Sequence, residues 1–551
     1  MWKRFDPDSR RVITNALRDA ASRGRAEAGP EHLLAAIARH APQEGIDGRI
    51  IDQLDREQPR VAQPAVEYAD RLSDTAVNAL EKASRTFRRR LITPRQMLPP
   101  IVAALNGSLA TPIVPPLASL TEKLSDFWPV YWLSKAIRLP RMGWNVYVRH
   151  SLGHPDYVND PYRIFRKLRA REPVRRDPTA PVWVVTSYEH TLTTLKDPRF
   201  NKDPFISERL PRGARDQLGM SEGAGARSSV ENISMLFLDP PQHTRVRSIF
   251  TRAFTPRTLE ALRPRIAEVC NERIDMMGRK GEAELIEDLA YPLPVTVIAE
   301  LLGFPREDYQ KLKKWSDEMA EALGFVPSED AKLRAARARD EMRVYFFEQI
   351  VPRLRGQRDN SLLSGLLDLE ARGEGLSEDE LFSNSVLLLA AGHETTTNLI
   401  GNGVLALLQY PKQLDLLRRD PALIESAVEE LLRFDPPVQL ITRVAAQDLE
   451  LGGQSIRRGE LVLAALGAAN RDPAVFQNPE QLDIRRQDNR HLSFGSGIHF
   501  CLGAALARME AQIAIGSLIA RFPNLKLAGG KLKWRKGITF RGLHALPLKL
   551  S

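Results

Sequence analysis

The chain has 551 residues, 43% apolar and 27% charged, a balance that excludes a disordered or membrane-embedded protein and calls for at least two folding units. A net charge of +10 and a pI near 9.5 suggest nucleic acid, but the basic residues are interleaved with acids and no zinc-finger or RNA-binding signature occurs. No nucleic-acid partner is therefore expected, and an acidic protein partner accounts for the charge. The two cysteines, Cys270 and Cys501, exclude a disulfide framework and point to a reducing cytoplasm. The opening residues Met1 to Asp6 lack the apolar run of a signal peptide.

In chain order, residues 1–107 repeat themselves. The stretch from Asp8 aligns with that from Arg71, pairing Ala16-Leu17 with Ala79-Leu80 and Pro30 with Pro94. Each copy has apolar residues at helical spacing, a break, and a proline opening another helix, which predicts an all-α double-repeat domain. Pro30-Glu-His-Leu-Leu and Pro94-Arg-Gln-Met-Leu resemble the recurring segments of the amino-terminal domain of Clp-type chaperones. No phosphate-binding G-x-x-x-x-G-K-[ST] loop occurs, so the resemblance implies a module that binds a protein or peptide partner without an ATPase. A generic helical cap is the alternative reading.

Residues 108–153 form a linker, marked by Pro112, Pro115 and Pro116 and then by a basic, aromatic stretch with Trp128, Tyr131, Trp132, Lys135, Arg138, Arg141 and Trp144. Pro140 and Gly143 favour a clasp packed on the larger domain; the alternative is peripheral contact of a cytoplasmic protein with a membrane surface.

From His154 onward helical patterns dominate, over Leu259 to Met277, Asp330 to Val351, Asn384 to Leu408, Pro421 to Phe434 and Cys501 to Phe522. Short strands at Val182 to Tyr188 and Leu461 to Leu466 sit near the two ends. The apolar run from Val386 to Leu408 carries His393, Glu394 and three threonines, which fit a buried helix lining a site, not a lipid-spanning one.

The chemistry is concentrated in Phe494-Gly-Ser-Gly-Ile-His-Phe-Cys501-Leu-Gly503. Gly495 and Gly497 let the backbone turn and pass close to a flat ligand, delivering Cys501 to the start of a long helix. Free N–H groups and the helix dipole there favour a thiolate. Gly503 removes a side chain beside it.

This segment resembles the haem-binding loop of the cytochrome P450 family at every fixed position, and the resemblance extends over residues 154–551. It implies a mainly α fold with small β-sheets, haem b held through Cys501, and thiolate ligation that favours O–O cleavage. Ala391-Gly392-His-Glu394-Thr395-Thr resembles the family's oxygen-activation segment. There Ala391 and Gly392 border the cofactor, the helical ladder opens beside Gly392 and Thr395, and Glu394 and Thr395 relay protons. His243, Arg247, Arg443 and His499 match the residues that meet the haem carboxylates, and Phe494 and Gly503 those that border the haem. Glu430-Leu-Leu-Arg433 matches the structural E-x-x-R, with Arg486 as its later arginine. No flavin or cluster-binding domain is fused, so electrons from NAD(P)H come through a ferredoxin and a ferredoxin reductase, with basic residues such as Arg508 near the docking face.

The implied activity is a monooxygenase that inserts one atom of O2 into an apolar small molecule, with residues 201–235, 315–329 and 437–441 around the pocket. Two rivals are a peroxide-driven enzyme, which needs no Glu394–Thr395 relay, and a haem-containing scaffold acting through its amino-terminal module.

Overall fold

The computed structural model of the chain describes residues 152, 154, 156–177, 180, 182–203, 234–322, 329–535 and 537–550, all within one compact unit. The double repeat over 1–107, nearly all of the linker over 108–153 and the pocket segments 204–233 and 323–328 lie outside the described residues.

The helices that carry the site are α1 (Pro161–Arg171), α2 (Tyr188–Lys196), α3 (Gln242–Ala253), α4 (Arg263–Lys280), α5 (Pro292–Leu302), α6 (Tyr309–Ala322), α7 (Glu378–Gln409), α8 (Ile424–Phe434) and α9 (Ala504–Arg521). The helix expected from Leu259 is interrupted, and α4 begins only at Arg263. Pro264 in its first turn has no N–H to give and is tolerated only there. The helix expected from Cys501 begins three residues later, behind the N-cap Gly503, which leaves the cysteine in the loop.

The strands expected near the two ends meet in one five-stranded sheet. Its order is β1 (Val174–Arg176), β2 (Val182–Val185), β8 (Leu461–Ala465), β5 (Leu440–Ala445) and β3 (Phe200–Asn201). β2 and β8 run parallel with Val182 beside Leu461, and the other pairings are antiparallel. Every residue of β2 and β8 is buried, matching their unbroken apolar sequences. A second sheet joins β4 (Glu282–Glu284), β10 (Pro547–Lys549) and β9 (Lys526–Leu527), and β6 (Leu449–Leu451) pairs with β7 (Gln454–Ile456).

α7 is the axis of the helical part, packed against α5, α6, α8 and α9. It starts with a reciprocal cap: Glu380 N–H donates to the Ser377 hydroxyl (3.2 Å) and Ser377 N–H to the Glu380 carboxylate (3.0 Å). Its buried polar residues bond back along the helix, Ser383 to the Asp379 carbonyl and Ser385 to that of Leu381, both 2.6 Å, so polar sequence survives in an apolar setting. At Gly403 a Cβ would fall 2.9 Å from Leu431, so the absent side chain brings α8 close. Among the described residues no helix is long and apolar enough to cross a membrane.

Two buried ionisable arrangements differ in how they are satisfied. Glu430 and Arg433 have no exposed side-chain surface and form a two-pronged pair at 2.7 and 2.8 Å. Arg486 (3.0 Å), Asn489 and the Asp483 N–H also donate to Glu430, while Arg433 donates to the carbonyls of Asn470, Pro479 and Gln481. The acid–base pair expected from sequence thus ties α8 to the chain that leads into the cysteine loop.

Glu510 on α9 is the opposite case. It is 1% exposed, and neither carboxyl oxygen has a hydrogen-bond partner among the described residues. Burial pushes it up to about 8, only partly offset by the nearby Thr396 hydroxyl, which itself donates to the Gly392 carbonyl.

Arg433→Met leaves a buried carboxylate without its main partner and is expected to cost about 3–5 kcal/mol. Denaturant unfolding within 1 kcal/mol (~) of wild type would show that the network contributes little. Glu510 generates a pH dependence of known sign. The folded carboxyl keeps its proton up to about 8, whereas the unfolded one releases it near 4.5. The folded state therefore binds one more proton between these limits, and stability falls as pH rises through them. Glu510→Gln is expected to flatten that slope and to gain up to about 3 kcal/mol at neutral pH. Parallel stability–pH curves for the two proteins would rule this out.

Candidate active site

The cysteine loop is built by glycine geometry. Gly495 and Gly497 have φ of 71° and 73°, a region open to glycine. A Cβ on Gly497 would also lie 2.8 Å from the Leu195 carbonyl at the end of α2. The loop closes on itself, with Cys501 N–H donating to the Phe494 carbonyl (2.9 Å) and Phe500 N–H to that of Gly497 (3.1 Å). Arg247 from α3 donates to the Phe500 carbonyl (2.7 Å), so this expected carboxylate partner also clamps the loop. The Phe494 ring is covered by Arg508, 4.4 Å from its centroid.

Cys501 is accessible, yet burial is the first cause that raises its thiol pKa. That combination describes a sulfur facing an enclosed space within the fold. The Gly503 N–H, Arg247 and Arg508 act in the opposite direction and favour the thiolate. A Cβ on Gly503 would meet nothing within 4 Å, leaving room beside the sulfur. Cys270, by contrast, is buried in the core, where burial pushes its thiol up to about 11.

Beside the loop lies a cluster of cationic and ring nitrogen groups. His243 and His499 pack ring to ring at 4.2 Å, and both nitrogens of His243 and Nε2 of His499 lack partners among the described residues. Arg443, 2% exposed, donates only to its neighbour's carbonyl, Thr442 O, at 3.1 Å. Lys202 joins them, its ammonium 3.4 Å from the Thr442 carbonyl. Burial lowers Arg443 to about 10, and burial with repulsion from neighbouring basic groups lowers Lys202 to about 7 and His499 to about 2. Asp239 opposes the shifts of Lys202 and Arg443, and its carboxylate is already engaged by the N–H groups of Lys202 and Asp203. Buried donors without acceptors beside a cationic cluster fit a ligand that carries carboxylates of its own. The haem expected from the sequence is such a ligand. Lys202 was missed because a lone lysine after a short strand carries no pattern.

On α7, Ala391 is exposed within a helix that is otherwise largely buried, and the Thr395 hydroxyl donates to its carbonyl (3.0 Å). The helix runs unbroken through Glu378–Gln409, so the expected opening of the ladder is not seen. Gly392 is turned to α5, where a Cβ would come within 2.9 Å of Ile298, and its small size serves helix packing. Glu394 is 14% exposed and accepts from Arg535 (3.0 Å), a partner no local motif announces.

Two further expectations change. Arg508 is bound two-prongedly to Glu429 (2.7 and 2.9 Å) and is not a free docking cation. Burial would raise Glu429, but His491 and Arg508 outweigh it and bring the carboxyl down to about 2. In the segments expected around the pocket, Trp315 and Leu440 are 3% and 2% exposed, and Trp315, packed in the core, donates outward to the exposed Glu341 (2.8 Å).

Gly497→Ala combines an unfavourable φ with a backbone clash and is expected to destabilise the protein by about 1–3 kcal/mol. An unchanged thermal midpoint and unchanged haem retention would show that the loop has slack.

The cytochrome P450 family model matches residues 180–533, well over half of the chain. The biotin biosynthesis cytochrome P450 of Bacillus subtilis (strain 168) is 41% identical over 403 residues, covering 73% of this chain and 99% of that protein. The vitamin D(3) 25-hydroxylase of Pseudonocardia autotrophica is 39% identical over 409 residues, with 73% and 97% covered. The crystal structure of P450BioI in complex with an acyl carrier protein ligated to hexadec-9Z-enoic acid superposes with a TM-score of 0.65 at 41% identity, covering 72% of this chain and 99% of that one. The accessible cysteine in its glycine loop, the cationic cluster and the long central helix therefore stand in a chain that belongs to the cytochrome P450 family, haem-dependent oxidoreductases that act with O2 and electrons derived from NAD(P)H.

Proposed function

We propose that the protein is a monooxygenase that inserts one oxygen atom from O2 into an apolar small molecule, and that the Cys501 thiolate would hold the haem iron. The observation that carries this reading is Cys501 itself, accessible, deeply set and supported by the Gly503 N–H at the threshold of α9. When bound, the haem supplies oxygen activation, and a thiolate ligand favours O–O cleavage.

The chain's residues then divide the remaining work. His243, Arg443, His499 and the newly found Lys202 hold the two haem carboxylates, with Arg247 acting on both carboxylate and loop. Ala391 borders the reacting space because its methyl group leaves room there, and Phe494, Gly495 and Gly503 line the cysteine side. Thr395 and Glu394 hold and move protons: the threonine hydroxyl can leave the Ala391 carbonyl, and the glutamate exchanges protons with solvent. Glu430, Arg433 and Arg486 maintain the scaffold and take no part in the chemistry. A ferredoxin, reduced by an NAD(P)H-dependent reductase, donates the electrons, since no redox domain is recognisable in the sequence.

The relatives support an apolar substrate. One is named for hydroxylation of vitamin D(3), and another was crystallised with a hexadecenoic acid carried on an acyl carrier protein. A purely structural haem scaffold gains no support from a chain that keeps an accessible cysteine and partly exposed Thr395 and Glu394 side chains.

The reduced, carbon monoxide-bound absorption spectrum tests the ligand. The wild type is expected to show the strongly red-shifted Soret band of thiolate ligation, and Cys501→Ala to lose it while remaining folded. A histidine-type spectrum from the wild type would refute the assignment.

A further inference from the structure

Where α7 meets α6 it carries a buried imidazole that the chemistry described above does not use. His393 has no exposed surface, and its Nδ1 lies 2.7 Å from the Leu389 carbonyl one turn back. A carbonyl can only accept, so Nδ1 carries the hydrogen, and the neutral ring presents a lone pair at Nε2. That nitrogen has no hydrogen-bond partner among the described residues. Asp317 Oδ1 of α6 stands 3.6 Å from it, just beyond hydrogen-bond reach.

Asp317 is held in place to face the ring. Tyr291, the N-cap of α5, donates to Oδ1 (3.0 Å), and the Lys313 ammonium approaches Oδ2 (3.4 Å) while lying 4.2 Å from the Tyr291 ring centre. The Tyr291 ring stands edge-on to His393, with centres 5.4 Å apart. Burial would raise the Asp317 carboxyl, but His393, Lys313 and Tyr291 outweigh it and keep it below its ordinary range. The ring is thus faced by Tyr291 from the start of α5 and by Asp317 and Lys313 from α6. Glu394, next to it on α7, is engaged by Arg535. The Asp317 side chain is 38% exposed, so solvent protons can reach a ring that is otherwise closed off.

The proton count of His393 sets the sign of its contact with α6. A lone pair turned to a carboxylate forms no bond, whereas a protonated ring offers an N–H and gains a charge-assisted hydrogen bond on a slight approach. Of the two neighbouring helices, α5 is fixed on α7 by shape, since Ile298 fills the space of a Cβ at Gly392. α6 buries Leu312, Trp315, Ser316 and Met319 and leaves Asp317 at the margin of that stripe, turned to His393.

We propose that His393 is a proton-operated latch between α6 and α7: the protonated ring binds Asp317 and seats α6, and loss of that proton frees it. One proton moves per event, from solvent onto Nε2 and back, while Nδ1 stays bonded to Leu389. The latch is closed at the acid end of the range in which histidines titrate, about pH 5 to 8, and open at its alkaline end. It depends neither on the ligand to the haem iron nor on a relay through Glu394.

The test uses the haem-loaded full chain as its ferrous carbon monoxide complex, with haem content and the absorption spectrum showing that each variant is folded. Nitrogen-15 spectra of histidine-labelled protein identify the His393 signals by their loss in His393→Gln. They are expected to show a bare Nε2 beside Nδ1–H at the alkaline end and both nitrogens protonated at the acid end. Amide hydrogen exchange over Tyr309–Ala322, corrected for its intrinsic pH dependence, is expected to be about fivefold slower at the acid end, with α5 unchanged. His393→Phe, His393→Gln and Asp317→Ala are each expected to lose that difference. A hydrogen on Nε2 at the alkaline end, a ring that keeps one protonation state across the range, or a difference that survives in any of the three variants would overturn the inference. Where a variant does not fold, His393→Leu or Asp317→Ser replaces it in the same comparison.

Discussion

The structure is organised around a convergence of basic side chains and imidazoles that are buried or half-buried beside the cysteine loop. Lys202, His243, Arg247, Arg443 and His499 come from separate stretches of chain, and Asp239 is the acid that opposes the shifts of Lys202, His243 and Arg443. Bringing cations out of water without partners is costly, and here the cost shows as a fall in the pKa of every member. A ligand with two carboxylates would relieve the repulsion and satisfy the orphaned donors, and on the reading proposed above a haem held there would stabilise the native state by mass action. Arg247 of the same group clamps the Phe500 carbonyl, one residue before the cysteine.

α7 joins this cluster to the rest of the molecule by presenting different chemistry on each face. Ala391 and Thr395 border accessible space, Gly392 admits Ile298, and Glu394, Asn398 and Asn402 meet Arg535, Gly542 and Arg541. A straight, continuous helix can hold these neighbours in fixed relation because its buried serines and asparagines satisfy themselves on their own backbone. Small side chains on one face and polar ones on another are thus parts of one arrangement.

Buried charge is handled in three ways around the site. Glu430 and Arg433 are fully paired and hold the approach to the cysteine loop. Glu429 is shared between Arg508 and His491 on the flank of the same loop. Glu510 has no ionic partner among the described residues and stays neutral over much of the working pH range. The first two stiffen the frame by fixing geometry, whereas the third makes stability depend on pH.

Much of this was legible in the residues themselves. The loop Phe494–Gly503 declares its turn through glycines that need positive φ or close backbone approach, and the polar interruption of the Val386–Leu408 run announces a buried, site-lining helix. Glu430 and Arg433 could be paired from their spacing, since residues three apart share a helix face. Other features depend on contacts between distant parts of the chain, which local pattern does not encode. Lys202 enters the cationic cluster because β3 runs beside β5, and Arg535 reaches Glu394 across 141 positions of sequence. Gly392 has a role in packing against Ile298 that the motif around it conceals. Local backbone preference and side-chain periodicity thus determined the kind of element and the cysteine chemistry. Tertiary packing alone decided which charges share the interior, because their energies depend on the distances and burial that only the folded chain establishes.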